Sequence, residues 1–72
     1  MRIEYDSEAD AAYIQVVDEI SPGGVHRTVG CDPSEVGGMI NLDFDADGRL
    51  LGIEVLDASK LLPADVIVRA EE

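Results

Sequence analysis

From Met39 to Leu56 apolar residues alternate with polar ones on either side of Asp45-Ala46-Asp47-Gly48, and that pattern is the signature of a β-hairpin. Asp and Gly tolerate the backbone of a tight turn, and period-two alternation sends one set of side chains to each face of the strands. Two loops can be tested against the pleat. A three-residue loop sets Phe44 opposite Leu50 and Ile40 opposite Glu54, mixing apolar with polar. A two-residue Asp47-Gly48 loop, or a four-residue loop of the same register, sets Phe44 opposite Leu51, Leu42 opposite Ile53 and Ile40 opposite Val55. The second register is preferred. It turns Ile40, Leu42, Phe44, Leu51, Ile53 and Val55 inward and Asn41, Asp43, Asp45 and Glu54 outward.

Ile3 and Tyr5 alternate with Arg2, Glu4 and Asp6, and after Ser7-Glu8-Ala9-Asp10 the run Ala11 to Val17 alternates again. This predicts another hairpin with Asp6 facing Ala11, Tyr5 facing Ala12 and Ile3 facing Ile14. The breakers between Asp18 and Gly24 make a connection, and Val25 to Cys31 reads as a strand. Asp32-Pro33-Ser34-Glu35 suits a type I turn, and the pairs Gly23-Gly24 and Gly37-Gly38 read as turns, with no helix or basic residue beside them suited to phosphate. Asp57 is positioned to cap a short helix through Leu62, which Pro63 ends. Val66-Ile67-Val68 reads as a final strand, and residues 69–72 as a fraying tail. The predicted fold is one α+β domain over residues 1–72, mostly β. It has an antiparallel sheet of two hairpins plus a connecting strand, about five strands, and a short C-terminal helix.

A chain of 72 residues hides only about 60% of the surface it exposes unfolded, so the core is thin. With no Trp and one Phe it rests on Ile, Leu and Val, and the single Cys31 allows no internal disulfide. Self-assembly or a metal is the remaining supplement, and a homo-oligomer is expected. Sixteen acidic against five basic residues give a net charge of −11, which repels nucleic-acid phosphates and anionic membranes and suits a basic protein as partner. One Lys against four Arg equally fits a salt-rich cytosol. No apolar stretch reaches the ~20 residues that span a bilayer, and the start of the chain lacks a signal-peptide core, so a cytoplasmic protein is expected.

Tyr5-Asp6-Ser7-Glu8-Ala9-Asp10-Ala11-Ala12-Tyr13-Ile14 in the first hairpin, with Asn41 to Leu56 in the second and Asp57-Ala58-Ser59 after it, resembles the small prokaryotic family known as domain of unknown function 2283. The resemblance spans most of residues 3 to 62 and implies no reaction and no catalytic residues to carry over.

Residues 43 to 54 also fit the calcium-loop pattern D-x-D-x-D-G-x₅-E, with Asp43, Asp45, Asp47 and Glu54 as oxygen ligands and Gly48 at the bend. That loop lies between helices in the proteins that use it, whereas strand-like alternation flanks this one, so a hairpin turn with carboxylates on its wet face carries more weight. His26 and Cys31 invite a thiol–imidazole reading, but five residues apart on a strand they project to opposite faces. Asp43 and Glu54, diagonal neighbours in the chosen register, are the pair for acid–base work, yet so acidic a chain places two carboxylates together by chance. Tyr5 reads as core and Tyr13 as an interface anchor on the opposite face. The expectation is a non-enzymatic structural or interaction module that self-associates. Calcium at the Asp43–Glu54 hairpin and the role of acidic partner to a basic protein are the alternatives.

Overall fold

The structure is a computed structural model and describes residues 1–71. Strand β1 (Arg2–Asp6) turns into β2 (Ala11–Gln15); a long connection leads to β3 (Arg27–Gly30), the helical turn α1 (Pro33–Val36) and β4 (Ile40–Phe44). Then come β5 (Leu50–Leu56), α2 (Ala58–Leu61) and α3 (Ala64–Glu71). The five strands form one antiparallel sheet in the order β1-β2-β5-β4-β3. The α+β, strand-dominated architecture is the one the sequence predicts, with five strands and a helical C-terminus.

The first hairpin has the predicted register, Asp6 with Ala11, Tyr5 with Ala12 and Ile3 with Ile14. Its loop is closed by the Asp6 carboxylate, which accepts the N–H groups of Glu8 (3.0 Å) and Ala9 (3.3 Å).

The second hairpin combines both registers. Ile40 faces Val55 and Leu42 faces Ile53 as predicted, but Phe44 faces Leu50 rather than Leu51. The loop is Ala46-Asp47-Gly48: Gly48 N–H donates to Asp45 C=O (3.1 Å) and Asp45 N–H to Arg49 C=O (2.9 Å), with Gly48 left-handed at φ 81°. Asp45 Oδ1 accepts the N–H groups of Asp47 and Arg49, both at 2.9 Å. This three-residue turn is a favoured hairpin closure. The face-mixing it causes is undone by one extra residue, Leu51, which bulges from β5 and leaves the apolar ladder beyond it intact.

Three further expectations change. Asp32-Pro33-Ser34-Glu35 extends into a full helical turn, because the Asp32 carboxylate accepts Ser34 N–H (3.0 Å) and Gly37, at φ 81°, closes the other end. Val66-Ile67-Val68 is helical rather than a strand: Pro63 starts a new helix, and Ile67 packs against the core cluster. Asp57 makes no side-chain cap bond; it sits at φ 53° and leaves the capping of α2 to another residue. Leu62 is extended before Pro63, as that proline requires. Residues 69–71 of the expected tail are helical, and Glu72 lies outside the described residues.

The core sits at one end. Ala12, Val55 and Ala58 are buried, with Tyr5, Ile40, Ile53, Leu61, Leu62 and Ile67 packed around them. Helix α3 lies along β1, and α2 packs on β2 and α3, whereas neither makes a substantial contact with β3 or β4. All four residues of β3 are exposed. The result is a slab of 33 × 31 × 18 Å, two layers thick at its β1 end.

Candidate functional site

Strand pairing brings two polar rows together on the face away from the helices. One row is Tyr13, Glu54 and Asn41; the next is Gly52, Asp43 and Thr28. The Tyr13 ring crosses diagonally onto Gly52, where an added Cβ would overlap the ring and its hydroxyl. A side chain at position 52 would expel the tyrosine, so the glycine is required by the ring that covers it. The Tyr13 hydroxyl donates to Asp43 Oδ2 (2.8 Å), Thr28 Oγ1 donates to Asp43 Oδ1 (2.6 Å), and Asn41 Nδ2 donates to Glu54 Oε1 (2.9 Å). Four strands are thereby tied across their width by side chains.

Burial of the phenol, followed by its bond to Asp43 and the negative charges of Asp43 and Glu54, pushes the Tyr13 pKa up to about 12. At physiological pH it is a hydrogen-bond donor in its neutral form. Asp43 is acceptor to two hydroxyls at once.

A second network joins the ends of the sequence. Asp10, at φ 50°, accepts Ser59 N–H (2.9 Å) and the Tyr5 hydroxyl (2.7 Å) on Oδ1 and the Ser59 hydroxyl (2.7 Å) on Oδ2. Its backbone carbonyl accepts Ala58 N–H at 2.9 Å. Asp10 therefore caps α2 from the first hairpin, the task Asp57 leaves undone. The Ser59 hydroxyl and then the Tyr5 hydroxyl hold its carboxyl below the ordinary 3.8, while the bond to Asp10 and partial burial raise Tyr5 above 10.0. Asp10 reads from the sequence as a loop residue and Ser59 as a helical one, with nothing local to connect them. The signal was present in the two motifs that carry the family resemblance, each of which contains one end of this link.

The other predicted residues are not gathered. Asp43 and Asp45 spend their oxygens on Tyr13, Thr28 and the turn amides, and Asp47 stands exposed at the hairpin tip. Among the described residues no three His, Cys, Asp or Glu side chains converge as metal ligands. His26 and Cys31 flank opposite ends of β3, the first exposed and the second half-buried. An open depression of about 280 Å³ lies over β1, β2 and β5, bordered by Glu4, Asp6, Tyr13 and Glu54. Among the described residues the one ion pair is Arg2 Nε with Glu4 Oε1 at 3.2 Å, on the surface.

These features define a small antiparallel-sheet module stapled by tyrosine–aspartate bonds. The chain belongs to the family described as protein of unknown function (DUF2283), which it matches over residues 2–59. The match ends on Ser59, so it contains both ends of the Asp10 link and leaves out α3. No curated protein and no solved structure is significantly similar to the chain. No helix among the described residues is long and apolar enough to cross a membrane.

Proposed function

We propose that the protein is a non-enzymatic structural or interaction module that associates with itself through the uncovered end of its sheet. One observation carries this reading. The folded chain exposes 4959 Å², whereas a compact monomer of 7.7 kDa exposes about 4,300 Å². The surplus of about 600 Å² approaches the ~800 Å² that each partner contributes to a standard interface. Among the described residues, four of the seven exposed large apolar side chains, Val25, Val29, Val36 and Met39, fall in the stretch around β3 and α1. Light scattering across a dilution series tests the proposal: a mass near twice 7.7 kDa that falls on dilution is expected, and a constant monomer mass up to millimolar concentration refutes it.

The acidic depression favours a second use for the opposite face. Glu4, Asp6 and Glu54 border it, and a basic protein docking there would bind in a strongly salt-dependent way. A Glu4→Gln, Glu54→Gln variant that keeps the full salt dependence of such binding would remove this reading.

A further inference from the structure

We infer that two copies of this chain pair through their β3 edges, antiparallel about a two-fold axis at Val29, joining two five-stranded sheets into one. This rests on the self-association proposed above and names the surface that carries it.

The two edge strands of the sheet are unlike. The β1 edge alternates Arg2, Glu4 and Asp6 with its apolar residues and has α3 lying along it. Charges and a covering element are the usual protection of an edge against pairing. The β3 edge has no carboxylate, proline or covering helix; its one charge, Arg27, lies over the Phe44 ring, and every residue in it is exposed.

Its free backbone groups can be assigned. Cys31 N–H donates to Ile40 C=O at 2.8 Å, so Cys31 and Val29, two residues before it, direct their backbone groups toward β4. Alternation then points the N–H and C=O of Thr28 and Gly30 outward, four groups with no partner in the sheet.

Those groups suit a second copy in one register. Thr28 opposite the partner's Gly30, and Gly30 opposite the partner's Thr28, satisfies all four. The same register sets Val29 against the partner's Val29 and Arg27 against the partner's Cys31; His26 lies outside the pairing, because its N–H donates to Phe44 C=O at 2.8 Å within the sheet. No like charges meet. Val29, 40% exposed in the single chain, gains an apolar neighbour at the close spacing of a pair that shares no hydrogen bonds.

Charge also selects this edge. Residues 20–31 contain no Asp or Glu, the longest such run in the sequence, and include His26 and Arg27. In a chain of net charge −11 this is where two copies approach with the least repulsion.

Cross-linking tests the register. Val29→Cys in a Cys31→Ser background places two thiols within disulfide reach across the axis. Val68→Cys in the same background, at an exposed position of α3, reports collisional coupling. Oxidation is expected to link the Val29→Cys chains at least about tenfold faster than the Val68→Cys chains, through the high effective concentration within the pair. Equal rates with a dimer by light scattering overturn the β3 edge and leave self-association standing; equal rates with a monomer overturn both. As a second arm, Val29→Lys sets two ammonium groups against each other. It is expected to give a monomer with an unchanged circular dichroism spectrum, and a surviving dimer overturns the inference.

Discussion

At the β1 end of the sheet α3 shields the edge strand, α2 closes over β2, and Ala12, Val55 and Ala58 lie buried between the layers. At the β3 end the same sheet stands open, and its last strand keeps no residue from solvent. The difference has a geometric cause. Five strands at 4.8 Å spacing span about 19 Å, whereas a helix with its side chains is about 10 Å wide. Helix α3 lies along β1 and the single-turn α2 packs beside it on β2, so neither makes a substantial contact with β4 or β3. On the open half Arg27 extends its guanidinium over the Phe44 ring at 5.1 Å, a partial substitute for a second layer.

Two valines measure the contrast. Val55, 2% exposed beneath the helices, should lose about 2–3 kcal/mol of stability on truncation to Ala, from lost burial and the cavity left behind. Val29 to Ala should change the monomer by less than about 0.5 kcal/mol and act on association instead. Denaturant titrations of both, in the monomeric range, should differ in midpoint at equal slope; equal losses would erase the distinction between the two ends.

Asp10 is the clasp of the covered end, and Asp10→Ala should lower the melting temperature and raise amide exchange in α2. The pH dependence follows from its depressed pKa. Stability from a lowered carboxyl is complete above the unfolded value of 3.8 and disappears as pH falls through the folded one. Melting curves of wild type and variant should therefore converge in acid, and a gap that persists there would assign the effect to packing.

Across the polar face, Tyr13→Phe removes one bond to a carboxylate and should cost about 1 kcal/mol. A raised tyrosine pKa works in the opposite direction to Asp10: its contribution is complete below pH 10.0 and is lost as pH rises to about 12. Wild type should lose its advantage over Phe in that alkaline window. The smallest effect is expected from calcium. Asp43 and Asp45 already serve hydroxyls and amides, so chemical shifts of Asp43, Asp45, Asp47 and Glu54 should stay within noise up to millimolar calcium, and a saturable shift would show the hairpin rearranging around an ion.

Much of this fold is legible in the sequence, because alternation and turn chemistry act locally. The register of Ile40 and Leu42 against Val55 and Ile53 follows from the need to keep one face apolar. What the pattern conceals is the route to that register, since a three-residue turn and a bulge at Leu51 give the same distant pairing as a shorter turn without one. The helical state of Val66 to Val68 is hidden for a different reason. β-branched residues favour strands only weakly, and Ile67 takes the conformation that brings it onto the core. The two polar networks depend on contacts across long separations, Asp10 with Ser59 and Tyr13 with Asp43, which periodicity does not report.

Amide hydrogen exchange as a function of protein concentration tests most directly whether a second copy covers the open end. The outward N–H groups of Thr28 and Gly30 should exchange freely at micromolar concentration and become protected toward millimolar, while Ala12 and Val55 stay unchanged throughout. Exchange at Thr28 and Gly30 that is fast at every concentration would contradict it.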